Sequence, residues 1–261
     1  FSFGRKFLRK AMGLADLEVA GTGAAITPAH VKKWYKKLGI HLVEAYGMTE
    51  VCGSISNGPQ KDAPADSVGK TVPYCETKID EENDEILMKA PYQMIGYYKN
   101  PEKTASVLRD GWIHSGDRGA IDEQGYIRVI GRLSDTFKTS KGQFIIPNPM
   151  EEELAKNDLV EQVCVLGYNC TQPLALINLS PIAQGQAEAT VQQSLQQTLV
   201  RLNENKPKYQ QLSTVIIDKN SWSEANRILT PTLKVRRTAL NQKYQDRFPS
   251  WEASVDSVIW L

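Results

Sequence analysis

The sequence predicts a mixed α/β and α+β protein in two parts, and three observations carry this prediction. A strand, a small-residue loop, a helix and a second strand follow one another within residues 17–50. From about residue 66 to 132, short strands alternate with turn signals, and beyond residue 133 strands alternate with longer helices. These patterns are typical of an α/β unit, of a small β-barrel or sandwich, and of a separate α+β module.

Composition excludes several classes of protein. The chain has 261 residues, of which 41% are hydrophobic and 23% are charged, a mixture typical of soluble globular proteins and not of disordered or fibrous ones. The net charge of +1 gives no electrostatic reason to expect a nucleic-acid partner. Since no apolar run reaches about 18 residues, no membrane-spanning helix is expected.

Cysteine and histidine spacing indicates a reducing compartment and predicts no zinc site. The four cysteines form no CxxC pair, and the three histidines lie far from metal-ligand spacing. A cytoplasmic location is therefore expected. The first ten residues mix Phe and Leu with Arg and Lys, which favours a helix end with a basic outer face. The alternative is peripheral association with a membrane surface.

The α/β unit is predicted element by element. A strand at 17–20 leads into GTGAA at 21–25, a loop where another group could approach the backbone closely. Thr27 is the expected N-cap of the next helix, with Pro28 at its first position. One apolar stripe defines that helix: Val31, Trp34, Tyr35 and Leu38. A buried strand at 40–46 then runs into GMTE.

The remaining elements follow from turn and cap signals. Gly125 is expected to close a hairpin turn that begins at Asp122, and Asn100 to cap a helix that starts with Pro101. Expected strands of the barrel-like part lie at 77–80, 85–90, 112–116, 119–122 and 126–130. In the last part, Asn148 to Glu151 has the form of a helix start. Strands are expected there at 161–168, 174–180 and 212–218, and helices at 187–205 and 234–248.

Four places could carry chemistry, each with a plain structural alternative. Thr49 and Glu50 offer a hydroxyl and a carboxylate that suit phosphate and Mg²⁺, or else an ordinary turn. Asp117 could accept both ribose hydroxyls of a nucleotide, or form an Asx turn. Arg132 could reach ribose or phosphate, or pair between domains. Lys234 is either a solvated charge or a residue that a domain movement brings into a cleft.

The order of these motifs resembles the adenylate-forming superfamily of acyl-CoA synthetases, luciferases and peptide-synthetase adenylation domains. The motifs run GTGAA, YGMTE, GWIHSGD, GYIRVIGRLSD, KTSKGQFIIP and LTPTLK over nearly the whole chain. The TPT-x-K form of the last motif is most similar to long-chain fatty acyl-CoA synthetases.

The resemblance implies a role for each matched residue. For the base of a nucleotide, it implies that Gly23, Ala24 and Ala25 line the adenine pocket and that Tyr46, beside Gly47, stacks on the ring. For the phosphates, it implies that Thr49 contacts the α-phosphate and Glu50 holds Mg²⁺. For the ribose, it implies that Asp117 binds the hydroxyls with help from Arg132. In the last part it implies that Asp135 is the hinge, that Lys138, Lys141 and Gly142 belong to the loop used in thioester formation, and that Lys234 bridges carboxylate and phosphate during adenylation.

The resemblance also implies substrates and domains. It implies ATP, Mg²⁺, CoA as co-substrate and a long-chain fatty acid. Residues 1–132 would be the C-terminal part of the large AMP-binding domain, with an α/β unit at 1–65 and a barrel-like subdomain at 66–132, and 133–261 would be a mobile lid domain.

One departure shapes the functional prediction. The superfamily has a Ser-, Thr- and Gly-rich phosphate loop ending in Pro-Lys, and neither that loop nor the fatty-acid tunnel is found here. The chain is therefore expected to be the C-terminal half of an AMP-forming long-chain fatty acid–CoA ligase. The alternatives are a fatty acid–AMP ligase that transfers to a carrier protein, and a non-catalytic nucleotide-binding or interaction fragment.

Overall fold

The computed structural model describes residues 2–58 and 63–261. The chain divides into two compact units, Phe1–Leu133 and Ser134–Leu261. Among the described residues, no helix is both long and apolar enough to cross a membrane.

The first unit contains two sheets and three α-helices within its described residues. In chain order the elements are α1 (Ser2–Ala11), β1 (Val19–Gly23), α2 (Ala29–Lys37), β2 (His41–Met48), β3 (Gly53–Asn57), β4 (Lys70–Thr71), β5 (Glu76–Ile79), β6 (Glu85–Lys89), α3 (Pro101–Val107), β7 (Leu108–Arg109), β8 (Trp112–Ile121) and β9 (Ile127–Arg132).

The first sheet has the order β1-β2-β3-β4, with β1 and β2 parallel and joined by α2. This pairing confirms the predicted α/β unit. The expected loop at 21–25 is partly wrong, because Gly21, Thr22 and Gly23 pair with β2 and extend the strand. Only Ala24 and Ala25 leave it, at its carboxyl end.

Thr27 does not cap helix α2, contrary to the sequence prediction. Its hydroxyl lies 3.1 Å from that of Thr22, and its N–H donates to Oε1 of Glu44 at 2.7 Å. Glu44 is 4% exposed and is ion-paired with Lys32 at 2.5 Å. Helix α2 begins at Ala29 with Pro28 as its N-cap, so Thr27 lies one residue too early to cap it, and its hydroxyl is paired with Thr22 instead.

The second sheet has the order β5-β6-β8-β7, with β9 also paired to β8, and every pairing in it is antiparallel. The barrel prediction is wrong. A barrel closes only when its edge strands pair with each other. In the described part of the chain, β5 pairs with neither β7 nor β9, so this sheet is open. Strands predicted at 112–116 and 119–122 form the single strand β8.

Local signals in this sheet are confirmed. Asn100 Oδ1 accepts the N–H of Lys103 at 3.0 Å and caps α3. Gly125 has φ +84°, and its N–H donates to the carbonyl of Asp122 at 2.8 Å. The two sheets share one apolar core, made of Val51, Ile55, Val68, Ile86, Met88, Ala90, Val107, Ile113 and Ile127.

The second unit is a sheet covered by helices on both faces. Its elements are β10 (Phe137–Lys138), β11 (Phe144–Ile145), α4 (Asn148–Leu154), β12 (Val160–Leu166), β13 (Leu174–Leu179), α5 (Pro181–Gln184), α6 (Glu188–Asn203), β14 (Thr214–Ile217), α7 (Arg237–Tyr244), α8 (Phe248–Glu252) and β15 (Val258–Trp260). The main sheet has the order β12-β13-β14-β15. Helices α4 and α6 pack on one of its faces, and α7 and α8 on the other.

Two predictions for this unit need correction, and one strand was missed. The basic helix begins at Arg237, not at 234, because the preceding residues form a tight loop. Strand β15 was not predicted. Asn148 is not a side-chain cap, and Glu151 does not turn back toward it but accepts from the N–H of Val165 at 2.7 Å.

Candidate functional site

Three predicted residues meet in one hydrogen-bonded cluster of the first unit. The hydroxyl of Tyr46, on β2, donates to Oδ2 of Asp117 at 2.8 Å, and Nε of Arg132 lies 2.9 Å from Oδ1. Asp117 and Arg132 are cross-strand partners on β8 and β9. The tertiary structure thus joins a residue of the first sheet to two residues of the second.

The backbone around Asp117 is fixed by Ser115, which is buried. The N–H of Asp117 donates to Ser115 Oγ at 3.0 Å, and Nη1 of Arg132 donates to the Ser115 carbonyl at 3.1 Å. The side chain of Asp117 is 13% exposed and that of Arg132 is 56% exposed. The carboxylate is therefore oriented by protein donors, and a carboxylate has enough lone-pair sites to accept ligand hydroxyls as well.

Tyr46 is held as a hydrogen-bond donor. Burial and the negative charge of Asp117 raise the pKa of its phenol far above the usual range. The phenol is consequently protonated at neutral pH, which suits a donor to a carboxylate.

The small residues of GTGAA lie beside Tyr46. Gly23 is the register partner of Ala45, the residue before Tyr46, and a Cβ on Gly23 would lie 3.1 Å from the Ala45 carbonyl oxygen. Ala24 follows with φ +68°. Because β1 and β2 are parallel, both present their carboxyl ends at one edge, where α/β sheets bind ligands.

Gly47 is required by the packing of β2 on β3. The ladder between these strands shifts register between Tyr46 and Gly47. A Cβ on Gly47 would lie 1.8 Å from the carbonyl oxygen of Gly53, so only glycine allows the two backbones to approach this closely.

Thr49 and Glu50 form a 3₁₀ turn directly after β2. Thr49 is exposed and Glu50 is half-buried. The hydroxyl of Tyr97 donates to Glu50 Oε1 at 2.5 Å, and the N–H of Met94 donates to the Glu50 carbonyl at 2.7 Å. The hydrogen bond to Glu50 raises the pKa of Tyr97 to about 12. A carboxylate and a hydroxyl on adjacent residues match the hard oxygen ligands that Mg²⁺ takes, so this turn fits a metal-bound phosphate.

Tyr97 was missed by sequence reasoning, since no local pattern ties it to a residue 47 positions earlier. A second missed group contains Asp80, Glu85 and His114, whose ligand-type atoms lie within 4.8 Å of one another. Spacing along the sequence did not indicate it, because the pairing of β6 with β5 and with β8 brings its members together.

Lys234 lies in the second unit, exposed in a tight loop before α7. Leu229 and Val235 form a bridge across its base. The N–H of Lys234 donates to Thr230 Oγ1 at 3.0 Å, and its carbonyl accepts the N–H of Thr230 at 2.8 Å. Leu233 has φ +61°. The loop is thus a defined hairpin that projects the lysine.

The loop Lys138–Gly142 also lies in the second unit. Gly142, with φ +76°, donates its N–H to the carbonyl of Thr139 at 2.9 Å. The ammonium of Lys138 lies 4.7 Å from the ring centroid of Phe144, and Lys141 is exposed.

Arg237, to which no local sequence pattern pointed, links the predicted hinge residue to the body of the second unit. Its guanidinium donates to both carboxylate oxygens of Glu151, at 2.7 and 3.1 Å, and to the carbonyl of Val165 at 2.5 Å. Oδ2 of Asp135 lies 3.8 Å from Nη2 of Arg237. Arg237 is three positions after Lys234, so the hinge residue and the lysine loop are anchored close to the same side chain.

Two family models match the chain. One described as AMP-binding enzyme covers residues 4–98, and one described as AMP-binding enzyme C-terminal domain covers residues 134–250.

Curated relatives include two fatty-acid ligases. A long-chain-fatty-acid–CoA ligase of Salmonella typhimurium is 32% identical over 158 residues, which is 57% of this chain and 28% of the relative. A putative fatty-acid–CoA ligase, fadD11, of Mycobacterium tuberculosis is 29% identical over 265 aligned residues, which is 95% of this chain and 46% of the relative. The chain spans less than half the length of these relatives.

Solved structures share the fold. An anthranilate CoA ligase in complex with anthranoyl-AMP matches 88% of this chain and 45% of its own, with a TM-score of 0.71 at 23% identity. The adenylation and carrier didomain of a carboxylic acid reductase from Segniliparus rugosus, in complex with AMP, matches 96% of this chain and 37% of its own, with a TM-score of 0.74 at 23% identity.

Proposed function

Because this chain belongs to the AMP-binding enzyme family, we propose that its two units are parts of one adenylate-forming ligase. Residues 1–132 are the C-terminal part of the large AMP-binding domain, and residues 133–261 are the small lid domain. Support comes from the two compact units and from the two separate family models that match them.

The proposed activity of the full-length protein is AMP-forming activation of a long-chain fatty acid, followed by thioester formation with CoA. The printed names of the relatives from Salmonella and Mycobacterium support a fatty acid as substrate. Structural neighbours that act on other acids share the same fold, so fatty-acid specificity rests on those sequence relatives.

The single observation that carries the proposal is the cluster of Tyr46, Asp117 and Arg132 beside the carboxyl end of β1. In the proposed complex Asp117 accepts the ribose hydroxyls, Arg132 keeps the carboxylate oriented through its ion pair, and the ring of Tyr46 stacks on the base. Gly23, Ala24 and Ala25 leave space for the adenine.

The phosphates are proposed to lie at the turn after β2. Thr49 contacts the α-phosphate and Glu50 holds Mg²⁺, which neutralises phosphate charge when bound. Tyr97 keeps the Glu50 side chain in place through its 2.5 Å hydrogen bond. Fixed donors and charges of this kind lower the barrier because they need no reorganisation during reaction.

The lid is proposed to supply two different loops to one cavity. Lys234 stabilises the negative charge that develops when the carboxylate attacks the α-phosphate. After rotation about Asp135, the loop with Lys138, Lys141 and Gly142 replaces it for thioester formation, a hinge-type movement.

Calorimetry of ATP binding to the full-length protein tests the proposal. Asp117→Ala removes the ribose acceptor, and losing a hydrogen bond to a charged group costs roughly 1.5–3 kcal/mol, or about one to two decades in Kd. Asp66→Ala is the matched control. Asp66 is an exposed aspartate whose ion pair with Arg128 of β9 this variant removes. Equal affinity of the Asp117 variant and the parent protein would refute the nucleotide site.

Product analysis decides among the activities. Release of AMP with acyl-CoA supports the CoA ligase. Accumulation of acyl-adenylate that reacts only with a carrier protein would instead support a fatty acid–AMP ligase. ATP binding without turnover in the full-length protein would support a non-catalytic module.

A further inference from the structure

We propose that Glu85 is a positioning residue of the nucleotide site, which fixes the segment of β8 that presents Asp117. The inference rests on the proposed nucleotide-binding function and adds a residue of β6 that does not itself touch the nucleotide.

Glu85 is a buried acid whose two oxygens hold two points of β8. It is 5% exposed. Oε1 accepts the backbone N–H of Gly116 at 2.7 Å, and Oε2 lies 2.8 Å from Nδ1 of His114. These partners flank Ser115, and Gly116 immediately precedes Asp117. The carboxylate therefore binds the residues on both sides of Ser115, the serine that orients Asp117.

The pairing of β6 with β8 explains why a side chain is needed at this point. Glu85 pairs with Arg118 and Leu87 pairs with His114, so two steps along β6 correspond to four steps along β8. The extra residues form a bulge that includes Ser115, Gly116 and Asp117. A bulge leaves N–H groups without a ladder partner and redirects the side chain that it carries.

Gly116 shows how far the bulge departs from a regular strand. Its φ is +71°, in the left-handed region that favours glycine. Its N–H points to Oε1 of Glu85. The carboxylate thus replaces the missing backbone acceptor, and satisfying this partly buried N–H holds the bulge in one conformation.

The consequence for the nucleotide site is geometric. Oδ2 of Asp117 accepts the hydroxyl of Tyr46 at 2.8 Å, and Oδ1 is ion-paired with Nε of Arg132 at 2.9 Å. Both contacts require the bulge to place the carboxylate between the two sheets. Without Glu85, we expect Gly116 to relax and Asp117 to lose this alignment, which lowers nucleotide affinity although no ligand contact is removed.

Two variants at the same position separate positioning from charge. In Glu85→Gln, the amide oxygen can still accept from Gly116 and the amide nitrogen can donate to Nδ1 of His114, so both contacts survive. In Glu85→Ala, both are lost. We expect Glu85→Ala to raise the Kd and KM for ATP by ~10-fold or more, the scale of a misplaced binding group, with the KM for fatty acid unchanged. Glu85→Gln should remain within about threefold of the parent.

A double-mutant cycle tests whether Glu85 acts through Asp117. If it does, Glu85→Ala adds little further loss of ATP affinity in an Asp117→Ala background, because coupled residues are not additive. Glu76→Ala, which removes an exposed pair with Lys89 on the neighbouring strand, is the control and should leave ATP affinity unchanged. All measurements use the full-length protein, with thermal unfolding recorded for each variant.

The outcomes are distinct. Weakened ATP binding in Asp117→Ala combined with parental binding in Glu85→Ala would overturn the positioning role alone. Parental binding in both variants would overturn the proposed function. If Glu85→Ala fails to fold, Glu85→Asp replaces it: its shorter carboxylate cannot hold both partners, and parental ATP binding by that variant would likewise overturn the inference.

Discussion

Tyr46 donates a hydrogen bond to Asp117 over 2.8 Å, although 71 positions separate the two residues in the sequence. This contact connects the parallel pair of strands to the antiparallel sheet. It also makes the carboxylate part of a fixed network with Arg132, and the predictions for the first unit follow from this arrangement.

Tyr46→Phe should destabilise the first unit while keeping the aromatic ring. The variant removes one donor to an ionised carboxylate, and because the site is only partly buried we expect a loss of about 1 kcal/mol in the free energy of unfolding. Urea unfolding of the chain measures it. Tyr74→Phe is the control, since Tyr74 is 92% exposed. Equal stability of both variants would show that the hydroxyl contact contributes nothing.

Gly47→Ala should be strongly destabilising because a Cβ would lie 1.8 Å from the Gly53 carbonyl oxygen. Forcing atoms into such a packed position typically costs about 1–3 kcal/mol and moves the backbone. Gly21→Ala is a suitable control on β1, since its Cβ would meet nothing within 4 Å. Thermal unfolding of the two variants compares them, and similar melting temperatures would contradict the close approach.

Lys234→Ala in the full-length protein should separate the two half-reactions. Adenylate formation should fall by ~10²-fold or more, because the variant loses a charge that acts in the transition state. Thioester formation from pre-made acyl-adenylate should proceed at nearly the parental rate. Rapid-quench assays of each half-reaction measure the two rates.

Two comparisons make the Lys234 result decisive. Lys219→Ala, which removes an exposed lysine paired with Glu188 in the same unit, should affect neither half-reaction. Equal losses in both half-reactions for Lys234→Ala would point to a damaged fold and not to a role in adenylation.

Asp218 should contribute to stability in a pH-dependent way. Burial raises the pKa of its carboxyl, but hydrogen bonds from Tyr244, Trp222 and Asn220 outweigh that effect and lower it. A carboxyl with a lowered pKa in the folded state stabilises the protein above its unfolded pKa, near 3.8, and this contribution is lost as the pH falls through the folded value.

Asp218→Asn is the variant that tests this. At pH 7 it should lower the free energy of unfolding by roughly 1.5–3 kcal/mol, because the charged acceptor is lost. The difference from the parent should shrink as the pH falls below about 4. Urea unfolding between pH 2 and 7 measures both effects. A difference that stays constant over this range would contradict the role of the ionised carboxylate.

The 261-residue chain by itself should form no acyl-CoA. The expected reason is that it lacks both the phosphate loop and the acid tunnel of the superfamily. Incubation with ATP, Mg²⁺, palmitate and CoA should release no AMP above background, whereas the full-length protein serves as the positive control. Clear turnover by the isolated chain would contradict the view that it is an incomplete portion of the enzyme.

Local rules predicted the elements whose signals are contained in a few neighbouring residues. The Asn100 cap and the Asp122–Gly125 turn form as expected, because a side chain or a glycine there satisfies backbone groups within the same turn. The α/β unit was likewise predictable, since its strand and helix periodicities are strong. Thr27 does not cap α2 because the helix begins one residue later than predicted and the Thr27 hydroxyl pairs with Thr22 of β1.

By itself the sequence determined the order of the motifs, and with it the family and the identity of the candidate residues. Only the tertiary structure decided that the second sheet stays open, that Tyr97 supports Glu50, and that Glu85 binds the bulge that carries Asp117. The physical reason is that these features depend on strand register and on hydrogen bonds between residues about 30 to 70 positions apart. Local propensity and spacing carry no information about which distant strands meet, or in which register.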